Sequence, residues 1–303
     1  MVEWRGRRGS RNVIDRRGRR YRGGGGGSAG LALLPVIIRL LGFRGLLIVG
    51  VIVAAIFLFG GGGAVQSVLG LLTGGGVRPV AYDGDVPPGT EEAAAMASVI
   101  LADTEDVWTA VFAENGGRYQ EPSLVLFSDA VETDCGFASA AMGPFYCPPD
   151  QRVYIDVRFY DELARMGAGD GDFAQAYVLA HEVGHHVQNL LGVLSRADSL
   201  QARSGQRDSN AIQVRVELMA DCLAGLWTAR ADRRFGILED GDIAEGLAAA
   251  AAVGDDTIQR RSGGRVVPDS FTHGSAEQRQ RWFMRGYETA DLASCDTFAA
   301  ETL

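Results

Sequence analysis

The chain carries the sequence AHEVGHH at residues 180–186, within a helix predicted for residues 173–190 that Asp172 caps. Because residues four apart project from one face of a helix, His181 and His185 can direct ring nitrogens at the same metal ion. Glu182 lies about 100° around the helix from His181, beside that ion, where a carboxylate can take a proton from water. Three of the four histidines in the chain lie here, so the pattern does not reflect a histidine-rich composition.

A catalytic zinc site needs a third protein ligand, and a second helix, predicted for residues 209–235, offers one. Glu217 and Asp221 lie four residues apart, and therefore on one face, among apolar neighbours. Such a pair is commonly a solvated helix face, but carboxylates inside an apolar stretch need a cation. We predict Glu217 as the third ligand and Asp221 as the acceptor of the free N–H of a ligating histidine. The metzincin pattern is excluded, since Gln188 and Leu191 stand at its glycine and histidine positions.

Four motifs together, HEVGHH, VELMADCLAG at 216–225, GDD at 254–256 and FTHGSAEQRQRWF at 271–283, give the chain a family resemblance. It resembles, over its whole length, the bacterial putative neutral zinc metallopeptidases, which are membrane-anchored proteins with a zincin-like domain. The resemblance implies a gluzincin-type arrangement in which His181, His185 and Glu217 hold one Zn²⁺ ion and Glu182 is the general base. It does not specify a substrate beyond a peptide or protein.

The remaining histidines and two aspartates have open interpretations. His273 is either structural or a catalytic residue that stabilises the oxyanion, as a distal histidine does in similar enzymes. His186 points about 100° away from His185, which favours a packing or surface role. Asp255 and Asp256 are typical of a cap or turn, and a second cation site is the alternative.

Periodicity predicts an α+β domain, mostly helical with a small sheet. Residues 91–115 are helical in composition, and residues 123–127 form a short strand. Apolar residues alternate over 153–160, which predicts a second strand from Arg152 to Phe159. We expect that strand to line the cleft and to pair with an extended substrate backbone.

Charge divides the chain into two unlike parts. Residues 1–44 carry 11 arginines against two acids, a net +9, whereas the remainder carries 18 arginines against 36 acids, a net −18. All basic residues are arginine, which excludes Schiff-base and P-loop lysine chemistry. The arginine and glycine-rich start has few apolar anchors, so residues 1–44 are predicted to be a disordered cytoplasmic tail. It is not expected to bind nucleic acid if it serves as a topological determinant.

Residues 45–77 contain no charged residue, and we predict one transmembrane helix over residues 45–68. The alternatives are a buried core helix and a cleavable signal peptide. By the positive-inside rule, the N-terminus is cytoplasmic and the rest is exported to the cell surface or periplasm. A linker over residues 69–89 and a metallopeptidase domain over residues 90–303 follow.

Four cysteines allow three disulfide connectivities. Cys135 and Cys147 enclose a short segment, so we pair them, and Cys222 is left with Cys295. An exported domain would keep such bridges, and four reduced thiols are the alternative.

The sequence therefore predicts a membrane-anchored zinc metallopeptidase that acts on peptides or proteins. The alternative is a catalytically idle zinc-binding module that binds partners at the membrane surface.

Overall fold

A computed structural model of the chain describes residues 2–22, 80–169 and 171–303. The strands are β1 Val13–Arg16, β2 Arg19–Arg22, β3 Val80–Asp83, β4 Ser123–Phe127, β5 Ala130–Thr133, β6 Gly136–Ser139, β7 Phe145–Cys147 and β8 Arg152–Asp156. The helices are α1 Glu91–Glu114, α2 Phe159–Leu163, α3 Asp172–Leu190, α4 Val193–Gln201, α5 Gln206–Phe235, α6 Asp242–Ala252, α7 Asp255–Arg261 and α8 Ala276–Thr289. The described residues thus form a helix-rich α+β structure with small sheets, as the sequence predicted.

The main sheet has the order β1-β4-β8-β7, with β1, β4 and β8 parallel and β7 antiparallel to β8. Both of its faces are covered, because Val153 and Ile155 belong to one apolar cluster and Tyr154 to another. All three are fully buried, although alternation alone predicts a strand with one solvated face. Helices pack on the sheet, and the helical layer carries the candidate site.

The predicted strand over residues 152–159 is too long, and its expected role is wrong. β8 ends at Asp156, and Phe159 already begins α2. Both edges of β8 are occupied, by β4 and β7, so its backbone has no free edge for a substrate. The edge strand on that side of the sheet is β7 instead.

The prediction of a disordered tail is wrong for residues 2–22. Its β1 pairs in parallel with β4, in the register Val13 with Leu124. The arginines that precede β1 bind acids on α1: Arg7 reaches Asp103 at 2.6 Å, and Arg5 pairs with Glu92. The segment is ordered because β1 pairs with β4 and because α1 supplies hydrogen-bond acceptors, neither of which a count of apolar residues registers. We call residues 2–12 the N-terminal strap.

The chain divides into two units, and the larger consists of Met1–Arg19 and Gly84–Leu303. The smaller, Arg20–Asp83, is described only at its ends, where β2 pairs with β3. The predicted membrane helix over residues 45–68 lies outside the described residues. No helix within the described part of the chain is long and apolar enough to span a bilayer. Of the predicted linker over residues 69–89, the structure describes residues 80–89. This part begins with the strand β3 and not with irregular chain.

Close approaches between helices explain two glycines. A Cβ on Gly184 of α3 would lie 3.0 Å from the Ala220 carbonyl oxygen of α5, so glycine allows these helices to meet at the site. A Cβ on Gly286 of α8 would lie 1.8 Å from the Cys222 carbonyl oxygen, so α8 can pack on α5 only through glycine. Helices α3, α5 and α8 therefore form one tightly packed group.

Both predicted disulfides are present. Cys135–Cys147 ties the β5–β6 hairpin to the edge strand β7, and Cys222–Cys295 ties the C-terminal segment to α5. No free cysteine occurs in the chain.

Candidate active site

Three predicted metal ligands converge in one buried place. His181 and His185 project from α3, and the Glu217 Oε2 atom on α5 lies 3.3 Å from His181 Nε2 and 3.7 Å from His185 Nε2. Donor atoms of all three residues lie within 4.8 Å of one another. Tetrahedral ligands at about 2.1 Å from a zinc ion would be separated by about 3.4 Å. The separations observed fit this donor set to a single ion, and two imidazoles with a carboxylate are typical zinc ligands.

The outer ring nitrogens of both histidines are held by side chains outside the metal position. His181 Nδ1 lies 2.9 Å from the Asp221 carboxylate, and His185 Nδ1 lies 2.9 Å from Gln188 Oε1. Gln188 donates its own N–H to the Val216 carbonyl oxygen at 2.6 Å, so its Oε1 must be the acceptor for His185. Each histidine therefore donates from Nδ1 and directs its Nε2 atom at the common point.

Asp221 is fully buried and is held by a cation that the sequence analysis missed. Arg279 on α8 donates to both oxygens of Asp221, at 2.8 and 2.9 Å. Tyr177 donates to Asp221 at 2.5 Å and is itself contacted by Arg279 at 3.1 Å. Burial raises the pKa of Asp221, but Arg279 and His181 outweigh it and bring the pKa to about 2. The carboxylate is thus ionised where it meets His181.

Glu182 lines the cleft beside the histidines and is nearly buried. Burial raises the pKa of its carboxyl group, and His185 and His181 oppose that shift. A glutamate with a raised pKa is a stronger base than one in water. Its position and environment suit proton transfer.

His273 is held at the same cleft by Asp255, the first residue of α7. One Asp255 oxygen accepts the backbone N–H groups of Thr272, His273 and Gly274 at 2.7, 2.6 and 3.0 Å. Its other oxygen lies 3.3 Å from His273 Nδ1. This hydrogen bond raises the pKa of His273. Asp255 is thus both a helix-terminal residue, as expected, and the partner that orients His273; Asp256 accepts the Ala276 N–H at 2.8 Å.

His186 packs in the interior, which is one of the two roles that the sequence favoured, and it connects α3 to β7. It is fully buried, and its Nε2 donates to the Gln120 carbonyl oxygen at 2.6 Å. Its Nδ1 therefore accepts from the Tyr146 hydroxyl at 3.0 Å. Burial lowers the pKa of His186, which keeps the ring neutral. The active-site helix is thereby hydrogen-bonded to the edge strand of the sheet.

The site opens into a cleft of about 600 Å³. Its walls come from the segment leading into β7, from α2, from α4 and from the loop that carries His273. A cleft of this size lies within the usual range of ligand-binding pockets in proteins.

Sequence reasoning missed Arg279, Tyr177, Gln188 and Gln213, the last of which donates to Glu217 Oε1 at 3.0 Å. Helical spacing could have identified two of these residues. Gln213 lies four residues before Glu217, and Gln188 lies three residues after His185, so each shares a helix face with the ligand that it contacts. Arg279 had only an indirect signal: a buried Asp221 needs a cation, but the sequence offers 18 arginines beyond residue 44.

The family model described as "Putative neutral zinc metallopeptidase" matches residues 2–298. The chain belongs to this family. Among the chain's curated relatives, the uncharacterized protein YpfJ of Escherichia coli (strain K12) is 45% identical over 305 residues, covering 98% of this chain and 99% of YpfJ. The uncharacterized protein Rv2575 of Mycobacterium tuberculosis (strain ATCC 25618 / H37Rv) is 50% identical over 195 residues, covering 61% of this chain and 65% of its own. No solved structure matches.

Membership of this metallopeptidase family agrees with the donor set. The family match begins at residue 2, so it includes the strap and β1 together with the helices of the site. The family name implies zinc, and His181, His185 and Glu217 form the group in the described residues that fits it.

Proposed function

We propose that this protein is a zinc-dependent peptidase that hydrolyses peptide bonds within the cleft. The observation that carries the proposal is the convergence of two imidazole Nε2 atoms on one carboxylate oxygen, at separations of 3.3 and 3.7 Å. Zinc, when bound there, supplies Lewis acidity that polarises a peptide carbonyl and acidifies water. The remaining chemistry belongs to side chains of this chain.

Glu182 is the general base in this proposal. It is not needed as a ligand, since His181, His185 and Glu217 already supply three. Its carboxylate takes a proton from water and delivers it to the amine that leaves. His273 donates a hydrogen bond to the charge that develops on the carbonyl oxygen, and Asp255 orients it for that role.

The backbone of the substrate aligns with β7 in this proposal. β7 is the edge strand that borders the cleft, and Phe145 and Tyr146 line it. An edge strand presents unpaired N–H and C=O groups to an extended chain. The hydrogen bond from Tyr146 to His186 keeps this strand in register with the helix that carries Glu182.

We propose further that the domain works in an oxidising compartment, such as the periplasm or the cell surface. The support is that all four cysteines are paired in two disulfides. We propose too that residues 45–68 attach the domain to a membrane in a way that leaves β1 and β4 on the same side of it.

The test uses the full chain, purified with and without the substitution Glu182→Gln. We expect one zinc ion per chain by elemental analysis in both proteins, and cleavage of a peptide library about 10²- to 10⁴-fold slower in the variant. In Glu217→Ala the zinc should be lost together with activity. Asp161→Asn, a neighbouring exposed acid outside this cleft, is the matched control and should keep both. Equal inactivity of the wild type and Glu182→Gln, with zinc present, would point to an idle zinc-binding module.

A further inference from the structure

Two exposed carboxylates that line the cleft have no side-chain partner among the described residues. Glu162 on α2 and Asp198 on α4 both line it, and neither side chain hydrogen-bonds or pairs with a residue in the described part of the chain. By contrast, the exposed Asp269 pairs with Arg207 at 3.1 Å. The two carboxylates are therefore available to a ligand.

Each of these acids belongs to a helical face that also presents apolar side chains to the cleft. Phe159 and Glu162 lie three residues apart on α2, and Met166, in the π-helical turn Ala164–Ala168 that follows, lines the same cleft. Leu194 and Asp198 lie four residues apart on the second. Each of the two faces therefore presents one negative charge and an apolar surface to the cleft.

Large apolar side chains are also exposed at the cleft. Met142 is 69% exposed and Ile258 is 43% exposed, and both line it. Exposed apolar groups gathered in a concave site mark a place where an apolar ligand group is buried.

The described cleft lining offers no free cation. Its arginine, Arg279, is 3% exposed and is held by Asp221 and Tyr177. Its other cationic candidate outside the metal ligands, His273, is paired with Asp255. A peptidase that removes residues from a C-terminus needs a cation for the terminal carboxylate. This lining does not provide one.

From these observations we propose that the cleft selects polypeptide segments that pass through it, with a large apolar residue beside basic residues. Glu162 and Asp198 are the specificity-determining residues, and acidic or C-terminal carboxylate groups are disfavoured. The inference rests on the proposed function, since it assigns a substrate class to that same site. The protein would then be an endopeptidase that cleaves within polypeptide segments containing both basic and large apolar residues.

The expected size of the charge effect is modest. Exposed ion pairs change binding by about two- to fivefold each. Two carboxylates acting on two basic residues should therefore favour a doubly basic peptide over its neutral counterpart by about 4- to 25-fold. The preference should shrink at high salt, because exposed charges are screened.

The experiment measures binding by fluorescence anisotropy on the zinc-loaded full chain with Glu182→Gln, so that peptides stay intact. The peptides are labelled decamers with a central leucine, flanked by arginine, glutamine or glutamate, each as free acid and as amide. We expect arginine peptides to bind tightest and glutamate peptides weakest, with the amide of each peptide binding at least as tightly as its free acid. Adding Glu162→Gln and Asp198→Asn should remove most of the difference in affinity between the arginine and glutamate peptides. Adding Asp161→Asn should leave that difference unchanged.

Three results would overturn the inference: no binding of any peptide, an order that survives loss of both carboxylates, or an amide that binds more weakly than its free acid. Because the measurement needs no turnover, it is separate from the cleavage assay. Failure of wild-type cleavage with the charge order intact would refute the peptidase and retain the binding specificity. Wild-type cleavage together with equal binding of the arginine, glutamine and glutamate peptides would retain the peptidase and refute the binding specificity.

Discussion

At the scale of single residues, the pair Asp221 and Arg279 is the most consequential in the site. Asp221→Asn should destabilise the metal-free protein by about 3–5 kcal/mol, because the buried Arg279 guanidinium loses its counter-charge. Zinc affinity should also fall by about 10- to 100-fold, because His181 loses the carboxylate that orients it. Urea unfolding and zinc titration measure the two effects separately.

The double variant Asp221→Asn with Arg279→Met is the control. Removing both charges together should restore much of the stability but not the zinc affinity, since His181 Nδ1 still lacks its carboxylate. If the double variant is as unstable as Asp221→Asn alone, the counter-charge explanation is contradicted.

His273 and Asp255 make a second prediction, which concerns rate. His273→Ala should lower kcat about 10²- to 10³-fold with zinc content unchanged, because a donor to the developing charge is lost. Asp255→Asn should lower kcat by a smaller factor than His273→Ala, since the amide oxygen can still accept the backbone N–H groups of the loop.

The pH profile distinguishes this role from a structural one. Asp255 raises the pKa of His273, so the protonated donor persists to higher pH in the wild type. In Asp255→Asn the pKa of His273 should fall toward its ordinary value, and the alkaline limb of kcat should move to lower pH. An unchanged limb would assign Asp255 to loop stability alone.

Local spacing accounts for the residues that the sequence analysis placed well. His181, Glu182 and His185 share one helical turn, and Glu217 and Asp221 share another, so periodicity alone groups each set. That the two sets meet follows from the packing of α3 on α5 at Gly184, which spacing within one helix does not show. Arg279 comes from a third helix, and no local pattern connects it to Asp221.

At the scale of elements, the contact between the N-terminal strap and α1 predicts a pH dependence of stability. Burial raises the pKa of Asp103 to about 7, against the attraction of Arg7 and Arg8. The folded state therefore binds this proton more tightly than the unfolded state, whose value is near 3.8. Stability due to this group should fall as pH rises from about 4 to about 7 and stay level above that.

Asp103→Asn tests this directly, because its side chain does not titrate. The difference in Tm between the variant and the wild type should grow in favour of the variant between pH 4 and pH 7. A constant difference across that range would show that Asp103 is ionised in the folded state throughout.

Helices and interior strands were predictable, whereas the N-terminal elements were not. The predicted helix at 91–115 and strand at 123–127 match α1 and β4, since apolar periodicity reports burial. β1 has the composition of a solvated segment, and its strand state depends on β4, more than 100 residues away. Charge pairing with α1 is likewise non-local, and the same arginines that suggested a topological signal serve to hold the strap.

At the scale of the whole molecule, the sheet constrains membrane topology. β1 precedes residues 45–68 in the chain and β4 follows them, yet the two strands are hydrogen-bonded in one sheet. The Gly84 N–H also donates to the Gly18 carbonyl oxygen at 2.7 Å. A single crossing between them would put these partners on opposite sides of the bilayer, so the predicted topology with one crossing conflicts with this sheet.

Labelling of intact cells tests the sidedness. Single cysteines introduced at Arg11 and Ala202, both exposed, should react alike with a membrane-impermeant maleimide, because native cysteines are bridged. Reaction of one position but not the other would contradict the sheet and support the single crossing.

The pairing of β1 with β4 also has a consequence for biosynthesis. Phe127 is made 111 residues after Arg16, its partner in the ladder, which at roughly 5–20 residues per second is a delay of roughly 6–22 s. During that time the nascent strand has no partner in the main sheet, and an unpaired strand is prone to aggregate. Truncation should also promote aggregation, because a recombinant fragment that starts at residue 80 lacks β1 and leaves β4 as an unpaired edge strand. Recombinant production of this domain should therefore begin at the N-terminal strap.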